Sequence, residues 1–204
     1  MMKTLLVALS AVAAASLMSA CAPLILGSAM VGGALVAVDR RTAGTQLEDE
    51  AIELKAGARA REVSPAGHIN VTSYNRMLLV TGEVPNDVDR KAVEQVVGRI
   101  ENVRSVVNEL AVAGNSALGV RSSDSLISGK VKASFIDAKD LQAQAIKVTT
   151  ERGVVYLMGM VTEREATRAS DVARSISGVH KVVRVFELIS EAELASLQPR
   201  SAPR

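Results

Sequence analysis

The stretch "IKVTTERGVVYLMGMVTEREATRASDVARSISGVHKVV", residues 146–183, decides the fold, because the chain spells its pattern twice. The earlier version is "INVTSYNRMLLVTGEVPNDVDRKAVEQVVGRIENVRSVV", residues 69–107. Ile69, Val71, Thr72, Gly82 and Val84 match Ile146, Val148, Thr149, Gly159 and Val161 at a constant offset of 77. One residue is lost in the next loop, and then Val93, Val96, Val97 and Ile100 match Ala169, Val172, Ala173 and Ile176. Val103, Val106 and Val107 match Val179, Val182 and Val183, while upstream Asp49 and Ile52 pair with Asp124 and Ile127. So many like-for-like apolar positions in one register mean an internal duplication.

Each copy reads as helix, strand, strand, helix, strand. The first two strands alternate apolar and polar residues around a polar break, Asn75-Arg76 in one copy and Arg152-Gly153 in the other, which makes hairpins of them. The helix that follows carries apolar residues at i, i+3, i+4 and i+7, one buried stripe. Thr162 with Glu165 three places on spells a capping box, and Asn86 with Asp89 a weaker one. Asn102 and Gly178 stand at matching helix ends, where a left-handed residue closes the last turn. A right-handed crossover then sets the last strand parallel to its partner. The fold class is α+β: two tandem units, each a three-stranded mixed sheet covered by helices on one face. Gly82 and Gly159 fall inside strand patterns, where glycine marks a bulge or a close backbone approach. Their expected role is structural.

The boundaries follow from composition. Residues 47–113 and 124–191 are the two units, 114–123 a linker, "DRRTAGTQ" at 39–46 the end of a polar tether that starts at 21, and 192–204 a disordered tail.

Charge and composition exclude several functions. Lys and Arg number 24 against 22 Asp and Glu, too even a balance for nucleic-acid binding. Tyr74, Phe135, Tyr156 and Phe186 are the only aromatics, too few to stack a single strand. Cys21 is the one cysteine, so the chain forms no internal disulfide and no thiolate cage. The two histidines, His68 and His180, begin strands in different copies, and nothing in the sequence ties either to a carboxylate pair. Zinc-helix and nucleophile-elbow spacings are missing. The acids around "LEDEAIE" read as a solvated helix face. No catalytic residue, metal site or cofactor is expected, and the strands show no polar residues converging on one point.

The N-terminus reads as an address. "MMKTLLVALSAVAAASLMSAC" has one cation, an apolar run, and small residues before Cys21, the layout of a secretory leader over residues 1–20. "LMSAC" resembles the bacterial lipobox, whose cysteine is lipidated and becomes the mature N-terminus. Met18 stands where that motif usually has leucine. Ala22 in place of aspartate implies, by the rule for such lipoproteins, the outer membrane. Two alternatives stay open: an ordinary leader with a free cysteine, and an uncleaved span through residues 22–38, whose 17 apolar residues sit at the short edge of the roughly 17–25 required. Acyl chains, such as palmitate, gain ~0.8 kcal/mol per buried methylene, so several of them anchor a protein stably.

The repeat resembles the BON domain. "GTQLEDEAIE", "INVTSYNRMLLVTGEVPN" and above all "KVTTERGVVYLMGMVTEREA" carry the resemblance, which covers nearly the whole mature chain. Two such domains behind a lipobox are similar to dual-BON lipoproteins of the bacterial outer membrane. That resemblance implies binding of anionic phospholipid through the first helix of the second domain, enrichment at division sites and support of envelope integrity. Relatives place tryptophan where Leu126 stands, so the strongest interfacial anchor is missing here.

The residues agree on which helix that would be. From Leu47 to Val63 the first helix has five acidic residues against three basic, while from Asp124 to Lys139 the second has two acidic against three basic. Helical arithmetic places Ile127, Val131, Ser134, Phe135 and Ala138 on a core stripe and Leu126 beside Lys130 on another face. Leu126, Lys130, Lys132 and Ala133 are the expected phospholipid contacts. Packing of Leu126 on the first copy is the plain alternative. A rival function is a periplasmic adaptor whose exposed sheet faces or strand edges dock an outer-membrane assembly machine.

Overall fold

The structure is a computed structural model, and it describes residues 39–197. Cys21, the leader and the stretch 22–38 lie outside the described residues. The first unit runs α1 (Ala43–Val63), β1 (His68–Tyr74), β2 (Met77–Val84), α2 (Asp87–Val97) and β3 (Ser105–Val112). The second runs α3 (Leu118–Asp137), a short 3-10 turn (Ala143–Ala145), β4 (Lys147–Glu151), β5 (Val154–Val161), α4 (Glu163–Arg174) and β6 (Lys181–Leu188). A last helix, α5 (Glu191–Leu197), follows.

Both sheets are mixed, as the crossover demands. β1 pairs antiparallel with β2 and β2 parallel with β3, and β4, β5 and β6 repeat this order. Each hairpin turns through two residues of positive φ, Asn75 (49°) and Arg76 (65°) or Arg152 (53°) and Gly153 (73°). Such a turn matches the right-handed twist of the flanking strands. Its free amides are caught by a buried carboxylate from the preceding helix. Asp49 accepts from the Asn75 and Arg76 amides, and Asp124 from those of Arg152 and Gly153, all at 2.8 Å. The paired aspartates of the duplication thus tie helix to hairpin in both units.

Caps account for where most helices begin. The Asp89 amide donates to Asn86 Oδ1 at 2.8 Å, and Thr162 and Glu165 complete their capping box. Asn102 and Gly178 do have positive φ, 68° and 95°. They close a separate turn, because α2 and α4 already end at Val97 and Arg174. At Gly82 (φ +112°) a Cβ would lie 1.9 Å from the His68 carbonyl oxygen, and at Gly159 2.3 Å from that of Ala145. Only a residue without a side chain lets the neighbouring backbone come so close.

Three apolar clusters hold the fold. Ile52, Leu78, Val80, Val93 and Val97 centre the first, beneath α1 and α2. Ile127, Val131, Phe135, Val155 and Leu157 centre the second, beneath α3 and α4. The third takes Tyr74 and Leu79 from one unit and Tyr156, Met158 and Val185 from the other. The two sheets therefore pack together on the faces turned away from their helices. Burial on both faces explains why β2 and β5 read as nearly continuous apolar runs. Thr72 and Thr149, equivalent by the offset of 77, meet with their hydroxyl oxygens 3.4 Å apart, so the seam has the self-complementarity of a symmetric dimer.

Several sequence boundaries shift. Residues 43–46, placed in the tether, form the first turn of α1, and Arg40 and Arg41 are held by ion pairs. Four residues of the expected linker, Leu118 to Arg121, and the two that follow belong to α3. The start of the expected tail forms α5, which buries Leu194. The sheet faces, expected to be open to a partner, are closed by one another.

Candidate functional site

Helix α3 is amphipathic in a way that leaves one face without cover. Its buried side is Asp124, Ile127, Val131 and Phe135. On the opposite side Leu118, Leu126 and Ile136 are 78%, 67% and 68% exposed. At about 100° per residue these three and Ala133 fall within a sector of roughly 80°. Lys130 lies about 40° beyond one edge of that sector and Lys132 about 40° beyond the other. Both lysines and Ala133 are exposed. The face is thus an apolar ridge about 27 Å long between two cations. Gly129 lies on it with open space around its Cα, and Ser122 and Ser125 turn their hydroxyls back to the carbonyls of Leu118 and Arg121. Asp137, about 20° beyond the Leu126 edge, is the one exposed acid beside the ridge.

All four residues expected to contact phospholipid therefore belong to one accessible surface. Leu126 does not pack on the first unit. Leu118 and Ile136 were missed, Ile136 although helical spacing from Leu126 and Leu118 reaches it, Leu118 because it was assigned to the linker.

The seam between the units holds a second group. His68 opens β1 directly opposite Glu83 in β2. Its Nδ1 lies 3.2 Å from Glu83 Oε2 and 3.8 Å from Glu151 Oε1, at the end of β4. Glu83 is fully buried and Glu151 5% exposed. Polar residues from the strands do converge, contrary to the sequence expectation, because packing the sheets brings Glu151 to a pair that register alone had made. Burial raises the Glu151 pKa above its ordinary value, the Asn70 amide and His68 opposing that and the Glu83 and Asp124 charges adding to it.

Ion pairs frame the seam. Arg40 grips Glu165 through both oxygens at 2.7 and 2.8 Å and donates to the Met160 carbonyl. Arg41 pairs with Asp49 at 2.7 Å and stacks 4.2 Å over the Tyr74 ring. Burial works against the charges of Asp49 and Glu165. The Ser73 hydroxyl, the turn amides and Arg41 nevertheless hold the first below its ordinary value, and Arg40 and the Thr162 amide hold the second. Glu187, in β6, accepts from Asn75 and Arg104 of the first unit at 2.7 and 2.8 Å. Among the described residues no helix is long and apolar enough to cross a membrane.

Comparison with known proteins agrees with the duplication. The BON domain matches twice, at residues 49–114 and 123–189. The chain is 37% identical over 170 residues to outer membrane lipoprotein DolP of Haemophilus influenzae, covering 79% of this chain and 88% of that protein. It is 30% identical to the 21 kDa hemolysin of Actinobacillus pleuropneumoniae, covering 74% and 80%. It is 25% identical to osmotically-inducible protein Y of Escherichia coli, covering 68% and 72%.

Proposed function

This chain belongs to the BON-domain family, and from that premise we propose that it is a non-enzymatic lipoprotein of the bacterial outer membrane, facing the periplasm. Acyl chains on Cys21 hold it there, and its second BON domain recognises anionic phospholipid through α3, in support of envelope integrity and at division sites. The named relative from Haemophilus and the lipobox-like "LMSAC" support the anchor.

One observation carries the lipid-binding part: three large apolar side chains of α3 stand exposed between Lys130 and Lys132. A soluble helix normally turns such residues inward. At a bilayer the arrangement suits both partners, since leucine and isoleucine enter the acyl boundary while the lysine stems lie along it and keep their ammonium groups at the phosphates. Each cation near an anionic leaflet contributes about 1 kcal/mol.

Flotation of the protein with a Cys21→Ser change, which removes the anchor, tests the reading. Recovery with vesicles containing phosphatidylglycerol and little with phosphatidylcholine alone is the expected result. Equal recovery with both would defeat it. The adaptor reading loses its sheet faces to the seam and keeps the strand edges, β1 and β3 of one sheet and β4 and β6 of the other, so no observation favours it over lipid.

A further inference from the structure

We propose that His68, Glu83 and Glu151 form a site for a divalent transition-metal ion that bridges the two BON domains. Two ligands come from the first domain and one from the second. Ligand type argues for zinc or a close relative, because an imidazole nitrogen with two carboxylates suits such ions and is foreign to the all-oxygen shells of calcium and magnesium.

The orientation of the carboxylates is what distinguishes this group from an ordinary acidic cluster. Each has one oxygen held by a neighbour: the Ser116 hydroxyl donates to Glu83 Oε1, and the Asn70 amide donates to Glu151 Oε2 at 2.8 Å. The remaining oxygens, Glu83 Oε2 and Glu151 Oε1, face the same His68 nitrogen. This is the arrangement of outer-shell donors that orients metal-binding carboxylates. One proton on Nδ1 serves one oxygen only, and at 3.8 Å Glu151 Oε1 is beyond its hydrogen-bond reach. Glu151 Oε1 thus faces the centre of the group with no donor against it among the described residues and is free to meet an ion.

Distances fit the ion. Ligands about 2.0–2.1 Å from zinc at tetrahedral angles stand about 3.3 Å from one another. One nitrogen–oxygen separation is 3.2 Å and the other 3.8 Å, and the three ligand atoms all lie within 4.8 Å. A shift of about half an ångström by Glu151 brings its oxygen to that distance from His68 Nδ1. Two carboxylates and a neutral imidazole sum to two negative charges, which a dication cancels. His68 is partly exposed, which provides an entry path and room for a water as fourth ligand.

The test uses the full-length chain in detergent, stripped with chelator and then titrated with zinc chloride in a calorimeter and in thermal melts. We expect one saturable site and a rise in melting temperature. Glu151→Gln and His68→Gln should each weaken binding at least tenfold, and Asn70→Ala should weaken it tenfold or more through the outer shell. Cobalt(II) replaces zinc as a second readout. Weak visible bands without thiolate charge-transfer absorption are expected, and they vanish in Glu151→Gln. The proposal is overturned if no saturable site appears below about 100 µM, an affinity too weak for a built site. Binding that survives Glu151→Gln, or that is lost only in Cys21→Ser, overturns it equally.

Discussion

Helices α1 and α3 descend from one ancestor and still do the same job on the inside. Asp49 and Asp124 catch the hairpin amides, and Ile52 and Ile127 fill the same place in their cores. Outside they have parted. Where α3 shows Leu126 and Ile136, α1 has Ala51 and Arg61, and where α3 shows Gly129, α1 has Leu54 amid Glu50 and Glu53. The inward residues are constrained by packing in both copies, so the outward ones report what each helix has been selected to meet. Helix α1 also exposes Leu47 and Leu54, but among four glutamates, whereas α3 sets its ridge beside Lys130 and Lys132 with Asp137 as its one exposed acid.

The largest effect separates the inward jobs. Asp49 also neutralises Arg41, whose side chain is 9% exposed, whereas Asp124 serves two amides. Asp49→Ala strips the turn amides of their acceptor and also takes one of two carboxylates from Arg41, which keeps Asp39 at 2.7 Å, and should cost about 2–4 kcal/mol. Asp124→Ala should cost about 1–3 kcal/mol. Urea unfolding of both variants checks this, and equal losses would mean that Asp39 alone suffices for Arg41.

The next effect separates the outward faces. Replacing Lys130 and Lys132 together with alanine removes about 2 kcal/mol of attraction to an anionic leaflet, roughly a 30-fold loss of vesicle affinity. Leu126→Glu should abolish flotation. Leu54→Glu on α1 should leave it unchanged. If Leu54→Glu were as damaging as Leu126→Glu, the comparison of the helices would fail.

Much of this architecture was legible in the sequence, for physical reasons that differ by element. The hairpins, the crossover helices and the capping box are local, so periodicity and spacing reveal them. The core stripe of α3 follows from the same arithmetic. The closure of the two sheets on each other was not legible, because a residue such as Met158 looks the same whether it meets solvent-side apolar cover or a second sheet. Glu151 was invisible as a partner of His68 for that reason. Arg40 looked like tether because its partner Glu165 lies in the second unit, and pairing over such a distance in sequence leaves no local pattern.

Acid and alkali should pull the seam in opposite directions. Asp49, Glu165 and Glu187 have folded pKa values below their ordinary ones. The native state therefore binds fewer protons than the unfolded chain as pH falls, and the stability these groups give above the unfolded pKa is lost as pH drops through the folded one. Glu151 is shifted upward from 4.5, so its contribution is present at low pH and is lost as pH rises through its folded value. In the presence of chelator, Glu165→Gln should flatten the acid limb of a stability–pH curve. Glu151→Gln should raise the melting temperature at pH 8 and leave it unchanged at pH 4. A uniform shift at both pH values would mean that packing, not charge, governs Glu151.

The smallest expected effect tests the ridge by improving it. Leu126 is two-thirds exposed and points away from the core of its own unit, so a larger side chain meets no neighbour there. Tryptophan at this place has an apolar body for the acyl boundary and an indole N–H for the headgroups, the combination that concentrates it at membrane interfaces. Leu126→Trp should therefore leave folding unaltered and strengthen binding to phosphatidylglycerol vesicles a few-fold. Its fluorescence should shift to the blue on binding, because the chain has no other tryptophan and the signal reports this position alone. Ala51→Trp at the matching place on α1 should show no such shift, since the acids around it repel an anionic surface. A blue shift from both helices would mean that the membrane does not discriminate between the two domains, and the divergence of their outer faces would need a different partner to explain it.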